Sequence, residues 1–186
     1  MRKKIEYPVS DLLIQPLAPD DDLSSFSCGV NSLDDFFQKE VVFCHKHSYL
    51  TAYVVKSKKD KCIIGVFALS NDVISLEEDD VEDIKDKIDD EYKFMLSRQL
   101  SFPAVNISHL AVSSDYQGRG IGRMIVLYVI VLVKRLRFSG VQFITVDSMN
   151  NPRTNKFYLD LNFSNRSIDD FGAETRRMFL NVMDFE

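Results

Sequence analysis

The residues with the clearest chemical potential are Gln117-Gly118-Arg119-Gly120-Ile121-Gly122, followed by Arg123. They lead into a helix candidate, Ile121 to Phe138, whose middle is apolar on every side. The first turn of a helix presents N–H groups with no intrahelical partner and carries a partial positive charge. Glycines at 118, 120 and 122 allow a sharp turn and a close approach of backbone to an anion, and Arg119 and Arg123 add positive charge. Such a loop suits the cradling of a pyrophosphate; taken alone it is also compatible with a plain turn. The spacing is not G-x-G-x-x-G, and no acid stands about 20 residues on to hold a ribose, which speaks against a dinucleotide fold. The lack of G-K-[ST] speaks against a nucleoside-triphosphatase loop.

Other reactive side chains point less clearly. The cysteines are three, Cys28, Cys44 and Cys62. An odd, widely spaced set does not make a disulfide framework, and a reducing cytoplasm is the expected compartment. Cys44-His45-Lys46-His47 has metal-ligand types, but no second ligand pair accompanies it at a known spacing, so no metal site is expected. Residues Glu77 to Glu91 hold ten carboxylates and two lysines, a local charge of -8 within a chain of net charge -5, which leaves the remainder at +3. That run is either a solvated helix face or a patch that draws a cationic substrate or repels an anionic one.

The elements that must position these residues follow from periodicity and breakers. At 186 residues with 45% hydrophobic content, the chain has room for one domain with a real core. No repeat or linker divides it, and alternating segment types predict a single α/β (α+β) domain over residues 1–186. Leu12–Leu17 is a strand candidate. Asn31-Ser32 caps a helix expected to run from Leu33 to about His47. Ser48–Lys56 and Lys61–Leu69 predict a hairpin turning at Lys58-Lys59-Asp60. An acidic helical insertion is expected at about 76–101, with Val81, Ile84, Ile88, Tyr92 and Met95 at helical spacing and Pro103 as its stop. Val105–Val112 is a strand and Ser113–Gly120 a loop. Ile121–Phe138 is a helix buried against a sheet, since its length and glycine entry outweigh its β-branched content. Val141–Asp147 is a strand, Asn151–Leu161 a helix with Pro152 in its first turn, and Phe163 and Thr175–Met183 supply the last strands. Met1-Arg-Lys-Lys has no long apolar stretch behind it, so no secretory signal is expected. The apolar run Met124–Val133 is about half a membrane span, so a soluble protein is expected.

Within this frame, Gln117-x-x-Gly120-x-Gly122 resembles the Q/R-x-x-G-x-G/A signature of the GNAT (GCN5-related N-acetyltransferase) superfamily. The preceding His109-Leu-Ala-Val112 and Asp115-Tyr116 fit its context. Asn151-Pro-Arg-Thr-Asn-Lys-Phe-Tyr158-Leu-Asp-Leu-Asn-Phe163 is similar to the family's N-x-x-A-x-x-F-Y-x-x-x-G-F segment. It departs from it at Thr154 and at Asn162, where glycine is usual; asparagine tolerates the left-handed conformation better than most residues. The resemblance implies a mixed, splayed central sheet of about six to seven strands flanked by helices, and acetyl-CoA as co-substrate without a metal. The pantetheine would lie where strands 105–112 and 141–147 part, against backbone of Leu110, Ala111 and Val112. The N–H groups of Gln117, Gly118, Arg119, Gly120, Ile121, Gly122 and Arg123 would hold the pyrophosphate, and Asn151 would contact the cofactor arm. Tyr158 would give a proton to the departing thiolate; the alternative is an aromatic packed on the sheet. The acceptor amine must shed a proton before attack. His109 stands where many relatives carry a glutamate for this purpose, and its alternative is a hydrogen-bonded strand histidine.

The implied activity is direct acetyl transfer in a ternary complex to a primary amine on a small molecule or peptide. A narrower resemblance lies upstream. Phe26-Ser-Cys28-Gly29, then Leu33-Asp34-Asp35-Phe36, is similar to the F-x-C-G…L-D-x-F segment of a subgroup that includes toxins acetylating aminoacyl-tRNA, each neutralised by a small antitoxin. In that segment Cys28 reads as a turn residue and not a nucleophile. The acidic stretch runs against the basic face a tRNA binder needs. A catalytically silent CoA-binding protein is the third reading. The resemblance leaves a homodimer open and gives no membrane role.

Overall fold

Alternation of side chains along β2 (Thr51–Ser57) and β3 (Ile63–Ser75) sets up two differently covered sheet faces. The computed structural model describes residues 8–75, 101–135, 139–167 and 169–185. Strand order is β1-β2-β3-β4-β5-β7-β6 in a seven-stranded mixed sheet. The chain divides into two compact units, one of residues 1–70 and 107–132, the other of residues 71–106 and 133–186. β3 and β4 (Ser101–Val112) contribute to each unit.

In the first unit, β1 (Leu12–Pro16) pairs antiparallel with β2 from Leu12↔Ser57 to Pro16↔Tyr53. β2 pairs antiparallel with β3, with a bulge between Val55 and Lys56. The hairpin closes through Lys61, at φ 62°, whose N–H donates to the Ser57 carbonyl at 3.0 Å. Ala52, Val54, Val66, Ala68 and Ala111 share a core with Phe37 of α1 (Asn31–Lys39) and Val41 of α2 (Val41–Lys46). Burial of each such large apolar side chain stabilises by about 1.5–3 kcal/mol. On the alternate strand positions, Tyr53 and Phe67 meet Tyr128 of α3 (Ile121–Lys134), with ring centroids 6.4 and 6.2 Å from it. Gly65 suits this packing: a Cβ there would stand 3.3 Å from both the Ala111 carbonyl and Ile125 Cδ1, a tight contact.

In the second unit, β5 (Phe143–Met149) is the centre. It pairs in parallel with β4 at Ala104↔Phe143, Val105↔Ile144 and Asn106↔Thr145. On its other side β5 pairs antiparallel with β7 (Thr175–Asn181), which carries the short β6 (Ser164–Asn165). Phe102, Phe143 and Phe179 form the aromatic centre of its core.

Several expectations shift. The single helix expected from Leu33 to His47 is two, because Glu40 (φ -114°, ψ -34°) leaves helical geometry while its N–H still closes α1 on the Phe36 carbonyl. Asn31 and Ser32 lie inside α1 and do not cap it. The cap residue is Val30, whose side chain offers no acceptor, and the Asp34 carboxylate accepts from N–H groups of the preceding turn, Cys28 at 2.7 Å and Gly29 at 3.3 Å. Pro103 sits inside β4, where its carbonyl still accepts from Gln142 N–H. The acidic helix lies outside the described residues, save Ser101, which opens β4. α3 ends at Lys134, and the expected continuation to Phe138 falls mostly outside the described residues. Among the described residues no helix is long and apolar enough to cross a membrane.

Candidate active site

The glycine loop in the first unit opens α3 and presents backbone amides to open space. Gly118 and Gly120 both take positive φ, 72° and 83°, which side chains other than glycine adopt only under strain. Nothing stands within 4 Å of a Cβ built at either position, so the space in front of the loop is open. The helical ladder of α3 begins with Met124 N–H donating to the Gly120 carbonyl at 3.0 Å. The amides of Ile121 and Gly122 precede it and point out of the helix end. Arg119 is held by a bond from Nη2 to the Asp115 carbonyl at 2.9 Å and by stacking 5.2 Å from the Tyr116 ring centroid. A groove of about 610 Å³ continues from the loop, lined by Arg119, Gly120, Arg123, Tyr128, Leu12 and Ile14.

Gln117 has a role that motif reading does not reveal. Its Nε2 donates to the Cys28 carbonyl at 2.7 Å and to the Val112 carbonyl at 3.0 Å. One side chain thus ties the loop to the end of β4 and to the turn at Ser27-Cys28-Gly29. Ser114 N–H adds a bond to the Ser27 carbonyl at 3.0 Å. That turn is set by Gly29 at φ 83° and by the Asp34 carboxylate. Cys28 is buried, and burial followed by the nearby Asp34 pushes its thiol up to about 11, which keeps it protonated and structural. Ser113 N–H donates to the Ile64 carbonyl at 3.0 Å. By strand alternation, Leu110 and Val112 therefore direct their peptide groups to the edge away from β3, and Ala111 directs its own toward it.

His109 lies on the strand face that α1 covers. Its ring stacks flat on Phe36, centroids 3.6 Å apart and planes 5° apart, with the edge of Phe37 at 6.0 Å. Nδ1 is buried with no hydrogen-bond partner. Burial pushes the imidazole below its ordinary value of 6.5, because a charged ring here would carry a buried N–H without an acceptor. A neutral imidazole at physiological pH is the proton-accepting form. The adjacent Phe36-Phe37 pair gave no sign in sequence of which ring would meet the histidine.

Tyr158 belongs to the second unit, near the end of α4 (Pro152–Leu159). Both ends of that helix are well made. The Asn151 side chain accepts from Thr154 N–H at 3.0 Å, so this residue is the amino-terminal cap. At the other end Asn162 takes φ 65°, with Asn162 N–H bonded to the Leu159 carbonyl and Phe163 N–H to that of Tyr158. This is a Schellman turn with asparagine in the usual place of glycine. The Tyr158 ring is 5% exposed, edge-on to Phe163 at 5.2 Å and to Phe157 at 4.9 Å. Burial pushes its phenol well above the ordinary value, so it stays protonated across neutral pH.

The same unit holds a polar chain that sequence reading missed entirely. Asn106 Nδ2 donates to Thr145 Oγ1 at 3.1 Å, and Thr145 donates to Asp72. Arg177 bridges Asp72 and Asp147, the latter at 2.7 Å. Burial pushes the Asp72 carboxyl up, but the bonds from Thr145 and Val73 N–H and the Arg177 charge prevail and hold it below 3.8. Elsewhere, His45 Nδ1 accepts from Ala52 N–H at 3.2 Å and His47 Nδ1 lies 2.9 Å from the Phe43 carbonyl, so both rings near Cys44 have local partners.

Comparison with known proteins agrees with this geometry. The family model described as acetyltransferase (GNAT) domain matches residues 73–165, half of the chain. A probable toxin TacT of Sinorhizobium fredii is 27% identical over 111 residues, 59% of this chain and 56% of that protein. The matched part of the chain thus spans about half the length of that relative. The toxin AtaT, as a tyrosine-to-phenylalanine mutant bound to the carboxy terminus of the antitoxin AtaR and acetyl-CoA, matches with a TM-score of 0.71 at 21% identity over 94% of this chain and 95% of that one. AtaT complexed with acetyl-methionyl-tRNAfMet matches with a TM-score of 0.72 at 22% identity over 94% and 96%. The open mixed sheet, glycine loop and capped tyrosine helix are those of an acyltransferase class, and the chain belongs to the GNAT acetyltransferase family.

Proposed function

We propose that the whole chain acts as one acetyltransferase domain that moves the acetyl group of acetyl-CoA onto the α-amino group of an aminoacyl-tRNA, as a toxin opposed by a small antitoxin. The observation that carries this reading is the pair of bonds from Gln117 to the Cys28 and Val112 carbonyls. They join the cofactor loop to the segment that resembles the tRNA-acetylating toxins. The similarity to TacT, and to AtaT in its complex with an acetylated aminoacyl-tRNA, supports the same reading.

In this account the amides from Gln117 to Arg123 hold the pyrophosphate. The outward peptide groups of Leu110 and Val112, with Ala111 between, flank the pantetheine as a strand does, and Asn151 holds the start of the helix that carries Tyr158. The neutral amine attacks the thioester carbonyl carbon, the new C–N bond forms, and the C–S bond breaks. His109 takes the proton the amine sheds. Tyr158 gives its phenolic proton to the leaving sulfur; the apolar surroundings that raise the phenol raise the proton affinity of a thiolate as well, so the two remain matched.

A second reading has an observation of its own. The acidic run Glu77 to Glu91 favours a small cationic amine as acceptor. Free-thiol release from acetyl-CoA, with charged tRNA, polyamines, amino acids and basic peptides offered in parallel, separates the two. Turnover confined to charged tRNA is the expected result. Turnover confined to polyamines or peptides would replace it with the second reading, and acetyl-CoA binding without turnover on any acceptor would favour a silent CoA-binding protein.

A further inference from the structure

The corner formed by the end of α2 and the start of β2 is unusual for its exposed rings. Phe43 is 58% and Tyr49 71% exposed. Phe43 lies against His47 at 4.2 Å between centroids and runs nearly parallel to Tyr49, at 6.5 Å with an interplanar angle of 22°. The backbone fixes this arrangement. Ser48 adopts φ 59°, a strained choice for serine. Tyr49 N–H is tied to the Cys44 carbonyl at 3.0 Å, and the buried Leu50 anchors the following residue. A left-handed residue held between a helix end and a core leucine turns the tyrosine ring outward.

The stretch of chain that carries the rings has charge of one sign. Glu40 precedes α2, and from Val41 to Lys59 the chain has no acidic residue, in a protein whose net charge is -5. Lys46 is exposed within this corner, next to His45 and His47. A few rings on one corner fall far short of the roughly 20–30 residues a side that a stable dimer face uses. Flat, sequence-tolerant rings beside a cation match the way proteins hold unpaired bases on a polyanionic backbone.

We infer that Phe43, His47 and Tyr49 form a stacking platform for the unpaired bases at the 3′ end of an RNA, with Lys46 facing its phosphates. The inference rests on the aminoacyl-tRNA reading above, which places a single-stranded 3′ end on this protein. Both ring positions are exposed, so replacing them leaves the core untouched.

Fluorescence anisotropy of a labelled single-stranded ACCA tetranucleotide, read on the full chain, tests the platform without any acetyl transfer. The Phe43→Ala/Tyr49→Ala double variant should bind it at least ~10-fold more weakly than the unaltered protein, the loss expected from removing stacking partners, while Phe43→Trp should retain binding. Equal affinity of the double variant, or no binding by the unaltered protein, overturns the platform. A double variant that changes the mass measured by light scattering while its RNA affinity is unchanged also overturns it and makes the corner a self-association face. Acetylation of charged tRNA is measured separately. Ring-dependent tetranucleotide binding by a protein that leaves charged tRNA unacetylated would sink the substrate reading and leave the platform standing.

Discussion

The two units handle charge by different means. In the first, the groups proposed to meet an anion are peptide amides at the start of α3, fixed by two glycines at positive φ and by the Gln117 clamp. In the second, charge is handled by side chains drawn from four strands: Asp72, Asn106, Thr145 and Arg177. Backbone amides need no titration and no rotamer ordering, so the first arrangement is indifferent to pH. The second depends on ionised groups and is not.

The largest effect expected from this contrast is that of Gly120→Glu. Open space in front of the residue means that bulk is not the problem; backbone strain at φ 83° and a negative charge where phosphates belong are. Loss of two bonds to a charged phosphate, each about 1.5–3 kcal/mol, weakens acetyl-CoA binding by roughly 10²- to 10⁴-fold, and calorimetric titration with retained affinity would break the loop assignment. Tyr158→Phe comes next. It should cut kcat by about 10²-fold or more, the usual scale of acid–base catalysis, with acetyl-CoA affinity nearly unchanged; an unaltered kcat would return the ring to a packing role.

His109→Ala sharpens the comparison through pH. Burial holds the imidazole below 6.5 in the fold, so the neutral form is present above that pH and is lost as pH falls through the folded value. The kcat/KM of the unaltered protein should therefore fall on the acid side. The variant should lose that limb and up to about 10²-fold in rate, and an identical profile in the two would remove His109 from the chemistry. The smallest effect is that of Asp72→Asn. Its carboxyl is held below 3.8, so the stability it contributes is present above that pH and is lost as pH falls through the folded value. The variant should unfold with about 1–3 kcal/mol less stability at neutral pH and a shallower acid slope in denaturant titrations; an unchanged midpoint would show that Thr145 and Arg177 find other partners.

The same contrast explains what could be read from sequence. A turn made of backbone must be written as glycines at fixed spacing, and of the three expected, Gly118 and Gly120 take positive φ while Gly122 is already helical. The departure at Asn162 was also legible, because left-handed backbone admits few residue types, and it adopts φ 65°. The polar chain was not legible: Asn106 and Thr145 stand 39 residues apart, and Asp72 and Arg177 stand 105 apart, with no local pattern to join them. The F-x-C-G segment drew notice as a resemblance, but its work as the anchor of Gln117 emerged only from the geometry. The Asn31-Ser32 pair does not cap α1 because the helix starts one residue early, on Val30, and the Asp34 carboxylate ties down the preceding turn at Cys28 and Gly29, a start that residue propensity does not record.

The most direct test of the account is the mass of the amino acid released from charged tRNA after incubation with acetyl-CoA and the purified protein. The released amino acid should carry one acetyl group on its α-nitrogen with the unaltered protein and almost none with Tyr158→Phe. Unmodified amino acid from a protein that still releases free thiol with a polyamine or peptide would contradict it.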